Sequence, residues 1–150
     1  VFSLNVPVPH AVSRRAAALA PALSGFDVVR HRHTLVCKRL GEPDHHETHA
    51  LEKQVRNAIA GTGPFAASIQ SFGQFEDPPN GASPVIYFEV ESPGLQQIHD
   101  SLLDVVEPVP DMEGPDYDAH VTLARGGSRA DTEQLLERSV EPLEWTVDEL

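Results

Sequence analysis

The chain has 150 residues, a formal net charge of −12 and an apolar fraction of 40%, which suits one domain with its own core and leaves no run near the ~18 apolar residues of a membrane span. The acidity excludes a protein that coats nucleic acid, because neutralising phosphates needs a basic footprint. Lys38 and Lys53 are the only lysines, the other nine bases being arginines, and an acid-rich, lysine-poor surface suits molar salt, as in a halophile.

Residues 2–6, "FSLNV", alternate apolar and polar and predict a strand. "PHAVSRRAAALAPALSG" predicts a helix with Val12, Ala16, Leu19 and Leu23 inward, a kink or early end at Pro21 and a stop at Gly25. "FDVVRHRHTLVCKRL" predicts one long strand or two short ones, with Cys37 buried, and "GEPD" a turn. "HETHALEKQVRNAIAG" has the period of an amphipathic helix, Ala50, Leu51, Val55 and Ile59 facing in, and "FAASIQSFGQFE" is strand-like. After the break "DPPNGASP", "VIYFEVE" predicts a strand. "SPGLQQIHDSLLDVV" predicts a helix capped by Ser92, with Pro93 at its first position and Leu95, Ile98, Leu102 and Val105 as its stripe. "PVPDMEGPD" predicts a loop, "YDAHVTLAR" a strand, "ADTEQLLERSV" a short helix and "LEWTVDEL" a closing strand. The N-terminus lacks a basic stretch followed by an apolar one, so no secretory signal is expected. A single cysteine excludes an internal disulfide, and a cytoplasmic location is the default.

The order strand, helix, His-containing strand, helix, strand occurs twice, over about residues 1–77 and 84–150. This pattern predicts an α+β fold, duplicated in two lobes within one domain. Each lobe is an antiparallel-type sheet with helices on its outer face, and the lobes share a central cleft. In "HVTL", residues 120–123, His120 and Thr122 share a strand face while Val121 and Leu123 point to the core. An imidazole beside a hydroxyl can move a proton and donate to an anion.

"AHVTLAR" resembles the second signature of the two-histidine (2H) phosphoesterase superfamily, which includes the 2'-5' RNA ligases and RNA 2',3'-cyclic phosphodiesterases. "FSLNVPVP", "LVCKRLGE" and "PVIYFEVESPGLQQIHDSL" extend the resemblance over most of the chain. It implies two His-x-Thr/Ser motifs, one per lobe. The first motif departs from that pattern and allows two registers. In one, His33 takes the catalytic slot and Leu35 replaces the hydroxyl, with Thr34 turned away unless a bulge re-aims it. In the other, Thr34 takes the hydroxyl slot and Arg32 stands where the histidine belongs. The first is the working expectation. The resemblance then implies that His33 and His120 form the acid–base pair, that Thr122 and, more weakly, Thr34 donate to the phosphate, and that Arg125 and Lys38 supply positive charge. It implies no metal and no cofactor. The implied partners are RNA ends or a small cyclic nucleotide or phosphate ligand, with no membrane and a monomeric state. Tyr87 is either a base-stacking residue or a core aromatic.

"DHHETHALEK" has His45 and His49 one helical turn apart, but residue 50 is Ala, so the His-Glu-x-x-His zinc pattern fails. Asp44 reads as the cap of that helix, and His10 and His99 as ordinary helix residues. "GTG" and "RGG" read as turns rather than phosphate loops. Two function classes follow: a metal-independent phosphodiesterase with possible reversible 2'-5' ligation, and a nucleotide-binding module whose first motif has drifted.

Overall fold

The structure is a computed structural model that describes residues 2–78 and 81–150. Pro79 and Asn80, in the predicted break, lie outside the described residues. Seven strands form one antiparallel sheet: β1 (Phe2–Val6), β2 (Val28–Val29), β3 (Leu35–Gly41), β4 (Phe65–Phe75), β5 (Val85–Glu91), β6 (His120–Arg125) and β7 (Leu143–Val147). The helices are α1 (His10–Ala18), α2 (His45–Ile59), α3 (Pro93–Leu102) and α4 (Arg129–Leu136). The α+β class is as expected.

The helices form where period and caps require. In α1, Val12 and Ala16 are buried, and Pro21 ends the regular helix early, the chain continuing as a 3-10 turn at Ala20–Leu23. Asp44 caps α2 by accepting from the Glu47 N–H at 2.8 Å. That helix buries only Val55 fully; Ala50 is exposed, a shallower seat than the predicted stripe. Ser92 caps α3 by accepting from the Leu95 N–H at 3.2 Å, and Leu95, Ile98 and Leu102 are buried. These stripes meet Leu35, Ile86, Phe88, Val90, Val121 and Leu123 in one core, so the helices cover one face of the sheet. No helix among the described residues is long and apolar enough to cross a membrane.

The strand order is β1-β3-β6-β5-β4-β7, with β2 paired to β6. β4, from the first half of the sequence, lies between β5 and β7 from the second, so the sequence halves are not the halves of the sheet. The centre is where β3 meets β6, and there a single paired position, Leu35 with Val121, joins the strands. Beside it the segment 30–34 bends away between β2 and β3. That sparse junction opens the sheet face opposite the helices.

Candidate active site

A cavity of about 400 Å³ lies over the β3–β6 junction. Arg30, Arg32, Thr34 and Val36 line it at every second position, and His120 and Thr122 of β6 do the same. The alternation has a physical anchor. Leu35 is wholly buried in the core and pairs with Val121, which is also wholly buried. The even-numbered residues around Leu35 therefore face the cavity. His31 is exposed, His33 is half-buried, and neither lines the cavity. The expected register put His33 in the first slot, but the residues that line the cavity together with His120 and Thr122 are Arg32 and Thr34. Burial pulls the His33 imidazole below its ordinary pKa, opposed by a hydrogen bond with the Arg30 backbone.

A β-bulge extends each row. Along β6 the register with β5 skips Leu123, between Thr122 opposite Tyr87 and Ala124 opposite Ile86. The extra residue turns Arg125 back to the cavity, where strict alternation would have aimed it away. Along β3 the register with β1 skips Cys37, between Val36 opposite Asn5 and Lys38 opposite Leu4. This brings Arg39 to the cavity and sends Lys38 away from it.

Lys38, expected to contact phosphate, is wholly buried and does not line the cavity. Its ammonium donates to Glu113 Oε1 at 2.6 Å and to the carbonyls of Arg39 and Glu107 at 2.8 and 3.2 Å. Glu113 also accepts from the Arg39 and Val109 N–H groups, both at 2.9 Å. Burial penalises the Glu113 carboxylate, but Lys38 and the two N–H donors outweigh that cost and hold its pKa below the ordinary value. His99 adds a second clasp. Its Nδ1–H donates to the Cys37 carbonyl at 2.7 Å, its Nε2 accepts from the Gly114 N–H at 3.0 Å, and its ring stacks on Tyr117 at 3.8 Å. Tyr117 in turn donates to the Val36 carbonyl at 2.8 Å. Together these contacts fix the loop after α3, which brings Asp111, Met112, Asp116 and Asp118 to the cavity. Glu113 and His99 gave no sequence signal beyond being polar.

His120 is the one histidine on the cavity wall among the described residues. Its Nδ1 lies 2.6 Å from the Asp118 carbonyl oxygen. A carbonyl only accepts, so Nδ1 carries the proton and Nε2 holds the lone pair of the neutral ring. Phe75 meets the ring edge-on at 5.0 Å, and Tyr87 lies tilted against it at 5.0 Å. Tyr87 is itself buried and does not line the cavity, which fits the core-aromatic reading. Burial lowers the His120 pKa most; Asp118 opposes the shift, while Arg39 and Arg125 add to it. The net shift favours the neutral ring near neutral pH. His45 and His49 are exposed on α2. Among the described residues no group of three or more His, Cys, Asp or Glu is disposed to hold a metal ion.

The fold has a relative among solved structures. The crystal structure of TT0787 of Thermus thermophilus superposes with a TM-score of 0.66 at 22% identity, over 95% of this chain and 81% of that one. No curated protein matches the sequence. A family profile, the 2'-5' RNA ligase superfamily, matches residues 38–150. The match takes in His120, Thr122 and Arg125 and begins after Arg32 and Thr34. Covering well over half of the sequence, it establishes that this chain belongs to the 2'-5' RNA ligase superfamily.

Proposed function

We propose that the cleft hydrolyses 2',3'-cyclic phosphate ends of RNA or small cyclic nucleotides, with His120 as general base and Arg32, Thr34, Thr122 and Arg125 as the phosphate cradle. Membership in the superfamily supports phosphoesterase- or ligase-type activity. The observation that carries the finer reading is the seat of His120: a neutral imidazole, fixed by its Nδ1 bond to Asp118, on the wall of a cavity shared with two hydroxyls and four arginines. Nε2 takes the proton of an attacking water, and a base so placed is worth roughly 10²–10⁴-fold. Guanidinium forks and hydroxyls stabilise the charge that grows on the non-bridging oxygens. The reading departs from a two-imidazole mechanism, since arginine stays protonated near neutrality and donates no proton to a leaving group.

That same substitution favours a second reading, in which the cleft holds a nucleotide without turning it over. The test is a 2',3'-cyclic nucleotide incubated with the protein in EDTA, alongside calorimetry with the nucleoside monophosphate product. Hydrolysis abolished by His120→Ala supports the enzyme. Tight product binding with no hydrolysis leaves the binding module.

A further inference from the structure

Tyr87 does not line the cavity, yet it reaches His120 by two routes. Its hydroxyl donates to Asp118 Oδ2 at 3.2 Å, and Asp118 is the residue whose carbonyl accepts from His120 Nδ1 at 2.6 Å. Its ring packs against the imidazole with centroids 5.0 Å apart and against Phe75 at 4.5 Å, and Phe75 meets the imidazole edge-on. The two routes fix different things. Residues 117–119 lie outside any regular strand, so the hydroxyl tether helps to set where the Asp118 carbonyl points. The ring contact opposes a half-turn of the imidazole that would take Nδ1 off that carbonyl.

A glycine makes room for this ring. Tyr87 pairs with Thr122 on β6 and with Gly73 on β4. A Cβ on Gly73 would stand 2.6 Å from Tyr87 Cζ and 2.8 Å from the hydroxyl oxygen, closer than side chains approach. The backbone of Gly73 is not in the left-handed region, so the position needs glycine for space rather than for conformational freedom. Any side chain there would drive the Tyr87 ring out of its place beside His120.

We propose that Tyr87 is a positioning residue that holds His120 in its Nδ1–H tautomer, with Gly73 as the gap that admits its ring. Burial, then the Asp118 charge, push the Tyr87 phenol above its ordinary pKa, so the hydroxyl keeps its proton and remains a donor. The effect on rate rests on the hydrolytic reading above, in which Nε2 must carry the lone pair that takes the proton of water. The effect on the tautomer does not depend on that reading.

The experiment joins kinetics on a 2',3'-cyclic nucleotide, calorimetry with the nucleoside monophosphate and the ¹⁵N shifts of the His120 ring. Tyr87→Phe removes the hydroxyl and keeps the ring, so the core stays filled. It is expected to lower kcat by roughly tenfold, and Tyr87→Leu, which removes both contacts, by roughly 10²-fold, the order of loss when a reacting group is misplaced by about 1 Å. Product affinity is expected to stay near wild type in both, since Tyr87 is off the cavity. The ring shifts are expected to move from a single Nδ1–H tautomer toward a mixture. Gly73→Ala is expected to lower kcat in the wild-type background and to cost nothing further with Tyr87→Leu, where the displaced ring is absent. A wild-type tautomer in Tyr87→Phe, or a loss that falls on product affinity rather than on kcat, overturns the proposal and leaves hydrolysis by His120 standing. A wild-type protein that hydrolyses no cyclic nucleotide overturns the hydrolytic reading, and the tautomer in Tyr87→Phe then decides the proposal by itself.

Discussion

The segment leading into β3 and the strand β6 present the same arrangement to the cavity with one residue exchanged. Each carries a pair at i and i+2, Arg32 with Thr34 and His120 with Thr122, and each turns a later arginine to the cavity through a bulge. The surroundings differ as much as the residues. Arg32 and Thr34 are exposed, on backbone that bends away from the sheet, while His120 packs against both Phe75 and Tyr87 with its Nδ1 bonded to the Asp118 carbonyl. A tight, partly desolvated seat keeps an imidazole neutral, whereas an open one suits a permanent cation. The duplicated geometry thus sets an imidazole on one side and fixed charge on the other.

The sharpest way to break this comparison is to remove one histidine from each segment. His120→Ala is expected to reduce hydrolysis of a 2',3'-cyclic nucleotide by roughly 10²–10⁴-fold. His33→Ala, off the cavity, is expected to stay within about threefold of wild type. Initial rates at neutral pH decide it, and a large loss in His33→Ala would return that residue to the mechanism.

A second comparison lies within β3, where Lys38 and Arg39 are adjacent cations with opposite fates. Arg39 faces the cavity and Lys38 is sealed against Glu113. Lys38→Met leaves the Glu113 carboxylate buried without its cation, at a cost of about 3–5 kcal/mol, or on the order of 10 °C in Tm for a chain of this size. Adding Glu113→Leu removes the stranded charge but also strips the Arg39 and Val109 N–H groups of their acceptor. The double variant is therefore expected to recover only part of the loss. Thermal denaturation of both variants measures this.

Much of the frame is legible in the residues. The stripes of α1 and α3, the caps Asp44 and Ser92 and the cavity-facing pair His120–Thr122 follow from period and side-chain chemistry. The register of the first motif is legible too, through Leu35: an apolar residue bound for the core places His33, two positions away, off the cavity as well. Taking Leu35 for a replaced hydroxyl sets that constraint aside. The bulges at Cys37 and Leu123 leave no local mark, because each depends on how a neighbouring strand pairs. Those bulges separate Lys38 from Arg39 and bring Arg125 to the site. Glu113 and Asp118 lie in or after a loop without period, and their roles come from partners distant in sequence, such as Lys38 and Tyr87.

Smaller effects test the charged side of the comparison. Arg32→Ala is expected to weaken binding of a nucleoside monophosphate by roughly 10–150-fold, the worth of a charge-assisted hydrogen bond, about 1.5–3 kcal/mol. Arg32→Lys keeps the charge but loses the planar fork, so it should recover only part of that affinity. Calorimetry at fixed salt reads both. An Arg32→Ala affinity equal to wild type would take Arg32 out of the cradle.

The smallest effect separates the two histidines by pH. Both imidazoles are depressed below 6.5, chiefly by burial. A depressed folded-state pKa contributes stability that is present above the unfolded value and lost as pH falls through the folded one. His33 and His120 should therefore both contribute to loss of stability on acidification, and replacing either with Gln should flatten the dependence of Tm on pH between about 7 and 5. Of the two, only His120 lines the cavity, so with His120 as the proposed base the acid limb of kcat/KM belongs to it alone, its midpoint lowered by burial. His33→Gln is expected to flatten the stability profile and leave the acid limb of the rate where it was. A shift of that limb in His33→Gln would mean that the two segments share the proton after all.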